Sequence, residues 1–309
     1  MEAIWDVLSS EVTYSSAVRF AALLLFAACG EWVAERAGTL NISVEGMILA
    51  GAFAAAVGYD RFGGSVAAGL VAGCLAGVLI ASVQANMSHR LPADQFVVGL
   101  TLNILVLGLV GFLDAELDPT TQRVATTEIP LLSELPLLGP ALFAQPWPLY
   151  LVYPLVPLVW WLTFRTRWGL EVRAAGEDPN AADVSGLKVN QRRREAIYLA
   201  GLTSGLGGGY LVLGAIGAFE DSIVGGRGFI AIAAVIFGGW TLRGTVAGCV
   251  LFGAVVSFRL SLPQQGYDSL NTELLSALPY LVTILGMALF AHRIRPPAAL
   301  ARPFLRGLK

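Results

Sequence analysis

"GSVAAGLVAGCLAGVLIASVQA", residues 64–85, runs from end to end without a charged side chain. At 1.5 Å per residue a helix of this length extends about 33 Å, enough to cross the hydrocarbon core of a bilayer. "AIYLAGLTSGLGGGYLVLGAIGAF", residues 196–219, is equally free of charge. Two such stretches in one chain decide the class: an all-α, polytopic membrane protein. Composition agrees. The chain of 309 residues is 56% hydrophobic and only 14% charged, with a mean hydropathy of +0.68. Soluble domains carry about 25% charged residues, the polar surface that water demands.

Working outward, apolar stretches predict spans at roughly 17–34, 42–58, 64–86, 96–113, 148–164, 196–219, 228–242, 244–260 and 274–291. That gives about nine transmembrane helices in a single domain over 1–309. The pair 228–242 and 244–260 is interrupted by glycines and Arg243, so it reads either as two crossings or as a re-entrant pair. Cys29, Cys74 and Cys249 each lie in an apolar run and read as small core residues. Arg19 followed by "FAALLLFAAC" imitates a secretory signal. The acidic lead before it (Glu2, Asp6, Glu11) is the reverse of what a signal peptide carries, so cleavage is not expected.

Charge placement sets the expected orientation. Arg165, Arg167, Arg173, Lys188, Arg192, Arg193 and Arg194 crowd into 165–195, and Arg293, Arg295, Arg302, Arg306 and Lys309 follow in the tail, 292–309. The loop 114–147 instead holds Asp114, Glu116, Asp118, Glu128 and Glu134 against Arg123 alone. Basic segments stay on the cytoplasmic side. Nine alternating spans put 165–195 and the tail inside, 114–147 outside and the N-terminus outside.

A repeat is also visible. "GSVAAGLVAGCLAG" at 64–77 resembles "GTVAGCVLFGAVVS" at 244–257, and "SVEGMILAGAFAAA" at 43–56 resembles "RGFIAIAAVIFGG" at 227–239. In the nine-span order these pairs run in opposite senses, the mark of an inverted-topology repeat. The competing reading is that Gly- and Ala-rich helices resemble one another anyway. Thirty-five glycines suit a bundle whose backbones approach closely. "SGLGGGYLVLGAIG" at 204–217 fits neither GxxxxGK[ST] nor GxGxxG, so no nucleotide-binding loop is expected, and no cofactor or metal site either. Basic residues without interleaved aromatics argue against nucleic acid.

The polar stretch "RAAGEDPNAADVSGLKVNQRRRE", 173–195, stands apart from all this. Asp178 and Pro179 form a helix start, and Gly186 is placed as its stop. Asn190 is expected to cap the next helix, with Arg192 to Arg194 holding it at the headgroups. A helix of barely two turns must be held by its surroundings. Glu177, Asp178 and Asp183 are carboxylates without a His, Cys or metal-ligand spacing; His89 and His292 lie elsewhere, each beside an arginine. Docking of a cytoplasmic partner fits this stretch better than catalysis does.

"GLEVRAAGEDPNAADVSGLKVN" at 169–190 resembles the cytoplasmic loop of bacterial ABC-transporter permeases of the branched-chain amino acid and ribose superfamily. Ala181, Ala182 and Gly186 match the AA-x3-G core of the permease loop. Asn180 stands where the family has glutamate, and Ile197-x-Leu199 sits one residue late. "LNISVEGMILAGAF" (40–53), "DQFVVGLTLNILVLGL" (94–109) and "GRGFIAIAAVIFGGW" (226–240) resemble more narrowly the nucleoside-type permeases. "GGWTLRG" (238–244) departs from that branch's usual Trp-Asn-Pro turn. The likeness covers about 38–115 and 168–292.

The resemblance implies a type II-importer-like permease in the bacterial inner membrane, working with a cytoplasmic ABC ATPase, a second identical or homologous permease chain, and an extracytoplasmic solute-binding protein or lipoprotein. Glu177, Asp178, Asn180, Ala181, Ala182, Asp183 and Gly186 are the expected coupling residues. The expected solute is a nucleoside, with a simple sugar or another small polar solute as the alternative. A remote alternative, an ion-coupled secondary transporter, wants an acid near the midplane, whereas Glu31 and Glu45 fall toward predicted cytoplasmic ends. Glu45, Thr101 and Asn103 are candidate solute-path residues. Glu45 either contacts solute, latches the two halves, or complements the start of its own helix behind an Asn41 or Ser43 cap. Thr101 and Asn103 either line a path or bond a neighbouring helix.

Overall fold

A computed structural model describes residues 11–130, 132–133, 138–220, 222–264, 281, 284 and 295–305. The ninth predicted span, 274–291, lies almost wholly outside the described residues, as do Glu2, Asp6, Glu134, His292, Arg293, Arg306 and Lys309.

The described chain is mostly helical. In order it forms α1 (Glu11–Arg36), α2 (Val44–Arg61), α3 (Val66–His89), α4 (Gln95–Leu117), β1 (Thr126–Glu128), α5 (Leu138–Phe143), β2 (Ala144–Pro146), a 3-10 turn (Trp147–Leu151) running into α6 (Val152–Arg165), α7 (Arg167–Glu177), α8 (Pro179–Val184), α9 (Val189–Gly209) continued by a π-helical segment (Tyr210–Ile216), α10 (Arg227–Phe237) and α11 (Leu242–Gln264). Six of the described helices are long and apolar enough to cross a membrane: α1, α3, α4, the 147–165 helix, α9 with its π segment, and α11. Helix α2 is long enough but holds Glu45, Asp60 and Arg61 in 18 residues.

Helix α1 is the axis of the bundle. From Ala21 to Glu35 every one of its residues is buried, as expected for a helix that is apolar all round. Helices α3 and α4 lie at the periphery. Val71, Leu75 and Leu79 form an exposed stripe at i, i+4, i+8 on α3, and Ile104, Leu105 and Phe112 are exposed on α4, the faces available to lipid tails. Between α3 and α9 the packing is backbone on backbone. Gly69, Gly73 and Gly77 recur every fourth residue on α3, as do Gly201, Gly205 and Gly209 on α9. A Cβ on Gly77 would sit 2.1 Å from the carbonyl oxygen of Gly201. Only a small-xxx-small surface allows this approach.

The two ends of the bundle differ in chemistry. Arg36, α7, α8, the start of α9 and the segment 295–305 share one end, where Arg36 pairs with Glu177 and Ala299 N–H donates to Gly176 O. At the opposite end Thr120 bonds Asp60, Thr121 bonds the Gly217 carbonyl, and β1 pairs antiparallel with β2. Arg19 Nε donates to Gln145 Oε1 there, tying α1 to the strand pair.

Three local expectations are corrected. The stretch 228–242 yields only the 11-residue α10, about 16 Å long, too short to cross a bilayer. Gly238–Thr241 ends it in a turn in which Gly239 (φ 61°) and Trp240 (φ 54°) are left-handed. Second, Asn190 does not cap α9; Lys188 stands at that position, and the Asn190 amide donates to Phe304 O. Third, no side chain caps α2: Ser43 Oγ donates to Asn41 Oδ1, and Asn41 Nδ2 donates to the buried Glu31. Of the cysteines, Cys29 and Cys249 are buried while Cys74 is half-buried. The sequence-matched segments fall on α2–α3 and on α10–α11.

Candidate functional site

The residues expected from the sequence to couple to a partner assemble at the basic end. Thr166 starts α7 by accepting from Gly169 N–H at 3.1 Å. At its close, Asp178 Oδ1 accepts from the N–H groups of Asn180 (3.1 Å) and Ala181 (3.0 Å), and Pro179 occupies the first position of α8. Both donors are otherwise orphans of a helix start. Gly186, at φ 89°, reverses the chain, and Leu187 N–H reaches back to Ala182 O at 3.0 Å. Ala182 anchors the six-residue helix by packing with Ala175 and Val189. The other side faces outward: Glu177, Asp178, Asn180, Ala181 and Gly186 are exposed, Asp183 is half-buried, and Val184 is 90% exposed. Recesses of about 350 and 360 Å³ flank α8, and Phe304 lines both. The loop thus presents a small apolar knob on a capped helix.

The three arginines after the loop do not point together to a headgroup layer. Arg192 pairs with Glu171 (2.5 Å) and Glu195 (2.7 Å). Arg194 contacts Asn86 Oδ1. Arg193 is fully buried and donates only to backbone carbonyls among its described bonds. Successive positions on a helix point about 100° apart, so an unbroken arginine triplet at a helix start must turn at least one member inward. That signal was present in the sequence.

A second polar junction lies inside the bundle, where α2 and α10 begin. Glu45 Oε1 accepts from Gly226 N–H at 2.7 Å, and its Oε2 accepts from Gly228 N–H at 2.6 Å. Gly228 leaves room for this contact; a Cβ there would lie 2.6 Å from the Glu45 backbone. One carboxylate therefore faces the positive ends of two helix dipoles, its own and that of α10. Asn103 supports the same place from α4: its Oδ1 accepts from Gly46 N–H (2.8 Å) and its Nδ2 donates to Ile42 O (2.9 Å). Glu45 and Asn103 are brought together around the start of α2. Thr101 is not; it is exposed on the outer side of α4.

The other end of α10 is pinned by α1. Trp32 Nε1 donates to Trp240 O at 2.8 Å, and the Trp240 indole donates to the Glu35 carboxylate. A tryptophan at positive φ is uncommon enough to need such support. Trp32 and Glu35 carry no special spacing in the sequence, so only the fold reveals them. Glu31 and Glu35 are fully buried rather than open to the basic end. Among the described residues no three of His, Cys, Asp or Glu converge as a metal-ligand set. A mostly apolar cavity of about 610 Å³ lies between α1, α6 and α11 and is lined by Ala17, Ala21, Leu149, Val152 and Val250 among others.

Comparison with known proteins places this architecture. The chain is 33% identical over 302 residues to the guanosine ABC transporter permease protein NupQ of Bacillus subtilis, covering 93% of this chain and 94% of that one. It is 32% identical to the nucleoside ABC transporter permease protein NupC of Lactococcus lactis, covering 89% and 91%. A putative glucose ABC transporter permease protein of Haloferax volcanii is 31% identical, covering 95% and 97%. The family model described as branched-chain amino acid transport system / permease component matches residues 13–287. With the model matched across nearly the whole helical bundle, this chain belongs to that permease family.

Proposed function

We propose that this chain is the membrane-spanning permease subunit of an ATP-driven importer for nucleosides. The observation that carries the reading is identity of about a third, over some nine-tenths of both chains, to two permeases named for guanosine and nucleosides. The Haloferax relative named for glucose supports a simple sugar as the second reading. As a permease component the chain moves solute and is not an enzyme.

The basic end faces the cytoplasm, with the C-terminus there and the N-terminus outside, in a bacterial inner membrane. About nine crossings result, the short α10 belonging to the seventh. The α2–α3 and α10–α11 pairs form the inverted repeat, with Glu45 at its centre. A cytoplasmic ATPase subunit takes α8 as its docking helix, a second permease chain completes the pore, and an external binding protein delivers solute. Closure of the ATPase pushes α8, and α7 and α9 follow because Ala182 is wedged between them. Glu45 and Asn103 then serve the path by fixing where α2 and α10 begin, and Thr101 contributes toward the second permease chain.

The test is uptake of radiolabelled guanosine, uridine and glucose by cells with and without this chain. Nucleoside uptake that depends on the chain and on ATP, unaffected by excess glucose, is expected. Chain-dependent uptake of glucose alone would replace the substrate, and uptake surviving loss of the ATPase would overturn the importer.

A further inference from the structure

Arg193 is the largest charged side chain that the fold buries completely. Its guanidinium spreads over four carbonyl oxygens on three separate segments. Nε donates to Ala37 O at 3.1 Å, at the turn after α1; Nη1 donates to Arg302 O at 2.7 Å; Nη2 reaches Ala175 O on α7 at 3.3 Å and Ala299 O at 3.5 Å. No carboxylate pairs with it among the described ion pairs.

Such a burial is costly, because a cation leaves water for partial charges only. Packing alone would be served better by an apolar side chain. What the guanidinium supplies is a rigid planar fork of five donors, and here the fork fixes backbone, which no rotamer change can release. The segment 295–305 is laid into the same knot. Ala299 N–H donates to Gly176 O (2.9 Å), Ala301 N–H donates to Gly38 O (3.2 Å), and Asn190 donates to Phe304 O (3.2 Å). Two glycines make the approach possible: a Cβ on Gly176 would lie 2.1 Å from Arg36 O, and Gly38 adopts φ 83°.

We propose that Arg193 is a positioning residue for energy coupling, and that residues 295–305 are part of the coupling lever. In this arrangement α8, its stem α7, the end of α1 and the tail segment move as one body. A push on α8 therefore reaches α1, the axis of the bundle, through Arg193 at the start of α9, whose guanidinium bonds the turn after α1. Helix α1 in turn holds the α10 turn through Trp32 and Glu35, so the path from docking helix to half-helix is continuous. The inference rests on the permease reading above.

The experiment uses the full permease with its ATPase and binding protein in liposomes, measuring ATPase co-purification, ATP hydrolysis and uptake of labelled guanosine and uridine. Arg193→Met is expected to keep the ATPase bound and hydrolysing while uptake per ATP falls at least about tenfold, and Arg193→Lys to recover only part, since one ammonium cannot span four carbonyls. Ala301→Pro leaves Arg193 intact but removes the N–H given to Gly38 at a residue with φ 61°; it should lower uptake per ATP in the same direction, and it decides the matter if Arg193→Met does not accumulate. Wild-type uptake per ATP in both variants would overturn the role, and so would full rescue by lysine or loss of ATPase binding in both variants. Wild-type protein in the same liposomes separates the claims. Lack of ATP-driven uptake there overturns the permease reading, whereas intact wild-type uptake with unchanged variants overturns only the role of Arg193.

Discussion

Glu45 and Arg193 solve the same problem with opposite charge. Arg193 is fully buried and Glu45 half-buried, and each makes its described hydrogen bonds to backbone, with Arg227 adding attraction at Glu45. Glu45 collects the N–H groups of Gly226 and Gly228, at the positive end of α10; Arg193 collects carbonyls from the α1 turn, α7 and the tail. The difference lies in what they join. Glu45 joins the starts of two helices inside the bundle, while Arg193 joins the lever at the basic end to the central helix. Backbone dipoles cannot rotate away as side chains can, so both junctions fix main-chain geometry.

Charge reversal breaks the comparison most severely. Glu45→Lys sets a cation against two helix starts and removes two charge-assisted bonds, worth about 1.5–3 kcal/mol each. Uptake is expected to fall about a hundredfold or more, checked in the same liposome assay. Next comes Gly186→Pro. Proline holds φ near −65° and lacks the N–H, whereas Gly186 sits at 89° and donates to Asp183 O. Uptake should drop about tenfold while the protein still inserts, measured by uptake against membrane content.

Glu45→Gln is milder, because the amide oxygen still accepts one N–H but the charge facing the dipoles is gone. A loss of about three- to tenfold is expected, the equivalent of about 1 kcal/mol of dipole stabilisation. The smallest effect belongs to Thr101→Val. Thr101 is exposed and makes no described hydrogen bond, so uptake within about twofold of wild type is expected if it serves only the outer surface. A large loss there would move the solute path to the outer face of α4.

Much of the fold could be read from residues alone, and the exceptions share a cause. Uncharged runs such as 64–85 are unmistakable, because an apolar helix of that length has few other places to go. Helix α8 is equally legible, since Asp178, Pro179 and Gly186 are local signals that act within a turn of themselves. The regular spacing of Gly69, Gly73 and Gly77 against Gly201, Gly205 and Gly209 was there to be read, but which helices it joins is a tertiary fact. Helix α10 was drawn too long because "GGW" is apolar enough to extend a hydropathy run, while Gly239 and Trp240 turn the chain by their dihedral angles. The partners of Glu35 and Trp32, and those of Arg193 other than Ala175, lie more than a hundred residues away in sequence. No spacing rule reaches that far. Arg193 shows the limit well: the triplet reads as three headgroup anchors, whereas the fold buries its middle member against carbonyls that the sequence does not name.

The exposed side of α8 is the surface proposed to receive the push of an ATPase. A photo-crosslinking residue in place of Val184, the most exposed large apolar side chain described, measures this directly in the assembled transporter. The account predicts an adduct with the ATPase subunit whose yield changes when ATP is added, and no adduct from the same probe placed at Leu75 on the lipid-facing side of α3. An active transporter in which position 184 never crosslinks to the ATPase would contradict it.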